Sequence, residues 1–196
     1  MEVERFDGQH EEETVLYVIR PHPLKFFIAC LFWTVVACGL AYGVEHVREF
    51  TSLLDAYEPY TFYGVILVIW AAILWYRKFV IDRERTYITD RRIVRFTITF
   101  PAFALKRSLL WSEVLKVKGY PSNLLMRILK IGQLQVFPTA LKDEDVLIEY
   151  VFYFEDLVNY LDKILFLSRS NPKAVADLRP FVTRPKGKRY PMQEPA

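Results

Sequence analysis

Phe26–Val44 (FFIACLFWTVVACGLAYGV) and Tyr60–Tyr76 (YTFYGVILVIWAAILWY) are two stretches of 19 and 17 residues without a charge between them. At 1.5 Å per residue they make helices of about 28 and about 25 Å, close to the ~30 Å hydrocarbon core of a bilayer. Only Glu45–Pro59 separates them. The reading is a helical hairpin that crosses a membrane twice, within an anchor spanning residues 24–78.

Basic residues near the spans set the expected orientation. Arg20 and Lys25 precede the first span, and Arg77, Lys78, Arg83 and Arg85 follow the second. The connecting loop has Arg48 against Glu45, Glu49, Asp55 and Glu58. Both termini are therefore expected in the cytoplasm, with a short acidic loop outside. Trp75 and Tyr76 mark one end of the second span and Tyr57, Tyr60 and Tyr63 the other, where amphipathic rings favour the membrane interface.

Charge is zoned along the rest of the chain. Residues 77–130 carry 13 Lys and Arg against 4 Asp and Glu, whereas residues 131–167 carry 2 against 7. A basic zone beside a membrane anchor suits anionic lipid, and nucleic acid is not expected as a partner. Both cysteines, Cys30 and Cys38, lie in the first span, eight residues apart and too far along one helix for a disulfide. They read as small apolar residues. Val35-Val36-Ala37-Cys38 also has the pattern of a lipoprotein processing site, but the acidic residues 1–13 are a poor signal-peptide start.

Residues 1–23 read as a lead-in: an acidic, unstructured stretch, then a short extended segment over Glu13–Ile19, broken by Arg20-Pro21-His22-Pro23. After the anchor the period changes to that of strands. Phe79–Arg83, Arg85–Thr89, Arg92–Thr99, Leu105–Leu110, Val114–Lys118, Gln133–Phe137 and Val146–Phe154 are the expected strands, with a Leu124–Lys130 connector and a polar turn over Leu141–Asp145. From Glu155 the apolar positions Leu157, Val158, Leu161, Ile164 and Leu165 follow helical spacing. The fold class is a membrane α-helical hairpin plus a mainly-β domain over 79–167, a small curved sheet or partial barrel of six or seven strands with a C-terminal helix. Residues 168–196 hold five prolines and no periodicity, and are expected to be a disordered basic tail.

These residues resemble the bacterial pleckstrin-homology-like (PH-like) domain family, in its membrane-anchored members. The resemblance rests on the Glu-rich lead-in Glu13-Thr14-Val15-Leu16, on Arg20-Pro21-His22, and on Tyr87-Ile88-Thr89-Asp90-Arg91-Arg92-Ile93-Val94. Leu124–Lys130 with Gly132 matches the Leu-rich connector before a strand. It implies a PH-like sandwich or barrel with a C-terminal helix held at the inner leaflet. One departure is Phe100-Pro101-Ala102-Phe103-Ala104, where such domains have a polar, Gly-containing turn.

Chemistry is sparse. His10, His22 and His46 stand apart from any nucleophile, and there is no Gly-rich phosphate loop, CxxC or HExxH. Asp143-Glu144-Asp145 reads as a solvated turn. The expectation is a non-enzymatic module with no cofactor, no metal and no small-molecule substrate. Its partners are inner-leaflet lipids and a protein partner or further copies of itself. Phe100 and Phe103 beside Lys106 and Arg107 form one candidate lipid-contacting segment, and Arg127 and Lys130 among the leucines of 124–129 form another. Gly39 and Gly43 are a GxxxG spacing, suited to helix packing within the hairpin against Gly64, Ala71 and Ala72, or between copies. The alternative to a recruiting module is a structural, oligomerising subunit of a larger membrane assembly.

Overall fold

The computed structural model describes residues 5–50, 59–99, 103–140 and 145–182. Two compact units emerge. One joins residues up to 20 with 85–96 and those from 106 onward; the other holds 21–84 and the tip 97–105.

The first unit is built from two antiparallel sheets. Strands β1 (Val15–Ile19), β2 (Arg85–Thr89), β3 (Arg92–Thr99) and β4 (Phe103–Leu110) form one, in that spatial order, and β3 and β4 run on into the tip. Strands β5 (Val114–Tyr120), β6 (Ile131–Pro138) and β7 (Val146–Phe152) form the other, again in sequence order. A single core draws on both sheets: Leu16, Ile88, Ile93 and Leu109 from the first, Val117, Leu134, Val136 and Ile148 from the second. Helix α4 (Phe154–Ser170) adds Leu157, Leu161 and Ile164, one stripe at helical spacing. Two sheets closed by a C-terminal helix agree with the architecture that the PH-like resemblance implies.

Strand β1 is the main departure from the expected boundaries. It precedes both long helices, yet it pairs antiparallel with β2 in the register Val18↔Tyr87 and Ile19↔Thr86. The domain is thus discontinuous, with residues 21–84 inserted into what would otherwise be a β1–β2 hairpin. The acidic stretch ahead of β1 also differs from expectation in its described part. Phe6 is buried on the outer face of the first sheet against Tyr87, Val94 and Phe96. Its ring fills a position that alternation along β3 leaves facing away from the main core.

The expected strand over Phe79–Arg83 is helix instead. Helix α2 (Pro59–Arg83) runs through it, and the Arg83 guanidinium lies 3.8 Å over the Phe79 ring, one turn away. Lengthening a helix already formed adds a hydrogen bond for each residue fixed, so the modest β preference of Phe-Val-Ile is overridden. The connector over Leu124–Lys130 contains a short helix, α3 (Leu124–Ile128).

The expected tail begins as structure. Helix α5 (Lys173–Ala176) buries Val175, and Phe181 packs its ring on Tyr17 of β1 and Tyr160 of α4. The Tyr160 hydroxyl donates to the Arg179 carbonyl at 3.0 Å, and burial pushes its pKa up to about 12. Val175, Leu178 and Phe181 suffice for this in a Pro-rich, basic stretch because they pack against a core drawn from distant parts of the chain. Arg184–Arg189 lie outside the described residues, as do Phe100, Pro101, Asp143 and Glu144.

In the second unit, α1 (Leu24–Phe50) and α2 pack on each other. Each has a 24-residue segment long and apolar enough to span a membrane. Lys25 and Glu84 form an ion pair at the ends that join the sheet, and the Tyr63 hydroxyl donates to Glu45 at the opposite end. His22 Nδ1 accepts from the Leu24 N–H at 3.1 Å, giving the Arg-Pro-His segment a local role at the start of α1. The GxxxG pair is not used inside the hairpin: a Cβ built at Gly39, Gly43 or Gly64 meets nothing within 4 Å. The half-buried stripes instead carry Trp33 and Val36 on α1 and Ile66, Trp70 and Ile73 on α2. Side chains of that size hold the helices wider apart than a glycine contact requires.

Candidate functional site

The turn Thr89-Asp90-Arg91-Arg92, within the segment that carries the family resemblance, is densely hydrogen-bonded. Glu13, buried, accepts from Arg92 Nε and Nη2 at 2.8 Å each, from Thr89 Oγ1 at 2.8 Å, and from the His10 N–H at 3.2 Å. Burial alone would raise its pKa, but the bonds from Arg92, Thr89 and His10 outweigh that and lower it to about 2. Asp90 Oδ1 accepts from the Thr14 N–H at 3.0 Å, and the Asp90 N–H donates back to the Thr14 carbonyl at 3.1 Å. Arg91 pairs with Glu12, and the buried Trp111 indole donates to the Thr89 carbonyl at 2.8 Å.

These groups satisfy one another. Together they clasp the N-terminal segment and Trp111 onto the β2–β3 turn. The signature is a structural clasp, and its charges are used within the fold. Its partners stand up to 79 positions apart, a separation that local pattern reading does not bridge.

The first expected lipid-contacting segment divides. Phe103 is 71% exposed and Leu105 is also exposed, and both belong to the tip that groups with the long helices. Lys106 points elsewhere: its ammonium donates to the Asp7 carbonyl at 2.7 Å and lies within 6 Å of the Phe6 and Phe96 rings. Arg107 is half-buried and already interacts within the protein. Of the segment's aromatic residues Phe103 is exposed, and its expected basic shoulder is largely occupied.

The second segment is a raised corner. Asn123 caps α3, its Oδ1 accepting from the Met126 N–H at 2.8 Å, and Met126 is the one side chain of the helix that points inward. Leu124, Leu125 and Ile128 are 72%, 70% and 68% exposed, and Leu129 beyond them is also exposed. Arg127 is exposed among them, and the Lys130 ammonium sits 5.4 Å from the Tyr153 ring centroid. The leucine spacing made this segment a candidate; that a single turn of helix lifts four aliphatic side chains outward is visible only in the fold.

The backbone here is unusually constrained. Lys130, Tyr150 and Tyr153 have φ of 57°, 56° and 52°, and they are all the non-glycine positive-φ residues among those described. Tyr150 sits where β6 and β7 slip register between Gly132 and Leu134, and Tyr153 opens α4. Left-handed side chains of this size cost on the order of 1–3 kcal/mol each and persist where the surroundings fix them. Phe154 begins α4 directly after Tyr153. A Cβ on Gly132 would lie 2.5 Å from its ring and one on Gly119 3.0 Å from it, so both strands carry glycine where α4 enters. The shallow cleft beside α3, lined by Met126, Ile131, Gly132 and Tyr150, has room for about one water molecule.

No protein-family model matches the chain, and no curated protein matches it. Among solved structures it is similar to a DUF1696 family protein with a pleckstrin-homology domain from Shewanella loihica PV-4. That likeness has 14% identity, 45% of this chain and 73% of that chain covered, and a TM-score of 0.33. At that score it carries no argument, and the reading of the fold rests on the strand order and the shared core described above.

Proposed function

We propose that this chain is a non-enzymatic, membrane-anchored module: two crossing helices hold a PH-like domain at the cytoplasmic face, where it binds inner-leaflet lipid, protein partners or both. The observation that carries this reading is how open the long helices are. In their most apolar windows 0% of α1 and 6% of α2 is buried, the reverse of a core helix in a water-soluble protein. Phe27, Leu31, Val35, Leu67, Val68 and Trp75 all stand outward. Left in water, that surface far exceeds the apolar patches soluble monomers tolerate. Pairing of β1 with β2 supports an even number of crossings, because the sheet needs both ends of the insertion on one side. The basic residues that flank the two ends support the cytoplasm as that side. Phe103 and Leu105, grouped with the helices at the β3–β4 tip, then reach the lipid interface. Alkaline carbonate extraction of cell membranes tests the anchor: the chain remains in the membrane pellet, and its release to the supernatant would contradict the reading.

A second reading, an oligomerising subunit, is favoured by the open Gly39 and Gly43 positions, which the hairpin leaves unused. The detergent-extracted mass separates them: a recruiter runs as monomer or dimer, a structural subunit as a larger defined multimer.

A further inference from the structure

The α3 corner is an aliphatic surface on a small domain, and its Leu124, Leu125 and Ile128 stand further out than the other exposed leucines of that domain, Leu110 and Leu115. Single exposed leucines need no explanation, but four aliphatic neighbours on one helical turn do. Protein-binding patches are anchored by aromatic side chains and pockets. This corner offers neither at its crest: the crest is Leu and Ile, and the cleft beside it admits about one water molecule. A lipid interface needs no pocket, and it accepts short aliphatic crests whose cations stay at the phosphate level. The charge agrees. Between Glu113 and Asp143 the sequence has no carboxylate, but it has Lys116, Lys118, Arg127, Lys130 and Lys142.

We infer that the α3 corner is a second membrane contact, inserting Leu124, Leu125 and Ile128 into the acyl boundary of an anionic leaflet while Arg127 and Lys130 meet lipid phosphates. This rests on the membrane-anchored reading above and names the ligand class for one of its surfaces. The Asn123 cap and the buried Met126 form the corner before it meets lipid, so its insertion orders no new segment.

The test uses the full chain with Cys30→Ala and Cys38→Ala, reconstituted into phosphatidylcholine vesicles with or without phosphatidylglycerol. One environment-sensitive fluorophore is placed at Leu125→Cys, at Leu67→Cys on α2, or at Phe166→Cys, the last on α4 far from its first turn. Spin-labelled lipids report contact with the acyl region. The Leu67 probe is quenched by deep labels if the helices span the bilayer. The Leu125 probe is expected to lose emission to shallow labels, more so with phosphatidylglycerol, while the Phe166 probe keeps its emission. Arg127→Glu with Lys130→Glu removes the dependence on phosphatidylglycerol. Quenching at Leu67 without quenching at Leu125 overturns the inference, leaves the anchored reading intact, and assigns the corner to a protein partner. Loss of quenching at Leu67 as well overturns the anchored reading itself. Equal quenching of the Leu125 probe with and without phosphatidylglycerol overturns the part given to the two cations.

Discussion

Replacing Glu13 by alanine removes the centre of the clasp. Arg92, whose side chain is 14% exposed, would keep the neutral Gly8 carbonyl at 2.9 Å as an acceptor but no carboxylate, and Thr89 Oγ1 would lose the carboxylate too. Removing one partner of a buried pair costs about 3–5 kcal/mol, because the other charge is left uncompensated. The pKa agrees in scale: the gap between 4.5 and about 2 corresponds to about 3 kcal/mol. Against the 5–15 kcal/mol typical of a domain, that is a large share.

The sign follows from the direction of the shift. Glu13 titrates lower in the folded than in the unfolded chain, so its contribution is complete above about pH 4.5 and drains away as pH falls toward 2. The assay is urea unfolding of an anchor-less chain, residues 1–20 joined to 85–196 through a short turn. Ile19 pairs with Thr86, so the two ends stand side by side, and the buried Trp111 becomes the only tryptophan. Glu13→Ala should lower stability at pH 7 by about 3–5 kcal/mol and flatten the acid loss between pH 4.5 and 2. A loss under about 1 kcal/mol at pH 7 would refute the clasp, because that is the range of an ordinary exposed pair.

The same geometry sets other outcomes. Residues 85–196 alone lack β1 and Glu13, and should show no cooperative transition in the Trp111 emission that follows unfolding of the joined chain. Gly132→Ala drives a methyl into the Phe154 ring and should cost about 1–3 kcal/mol, with part restored by Phe154→Leu in a double-mutant cycle. Ending the chain after Ser170 removes Val175 and Phe181 from the core and should cost about 3–6 kcal/mol, whereas ending it after Val182 should leave the unfolding midpoint in place. Burial holds Tyr160 at about 12 and raises Tyr17 as well, so stability should begin to fall above about pH 10, where unfolded tyrosine ionises; absorbance at 295 nm across the transition checks this.

Much of the architecture was legible because it is written in periodicity. The uncharged spans, the alternation of Arg92–Thr99 and the helical stripe from Leu157 to Leu165 each point to an element by spacing alone. The misses share a different cause. Phe79–Arg83 reads as strand from its side chains, and it is helix because it follows directly on one. The acidic start and the Pro-rich tail read as unstructured by composition, but Phe6, Glu13, Val175 and Phe181 find partners many tens of residues away. Leu124–Leu129 was legible as an apolar, basic segment. That Met126 alone turns inward is decided by the Asn123 cap and the left-handed turn at Lys130, which no single-residue pattern encodes.

Labelling of single cysteines bears most directly on the anchored reading. In a Cys30→Ala, Cys38→Ala chain, Ser52→Cys lies in the acidic connection between the spans and Ser170→Cys at the end of α4. A membrane-impermeant maleimide applied to intact cells should label the first at once and the second only after the membrane is opened. Labelling of Ser170→Cys in intact cells, or protection of Ser52→Cys there, would contradict a hairpin that crosses twice and returns both ends of the sheet to the cytoplasm.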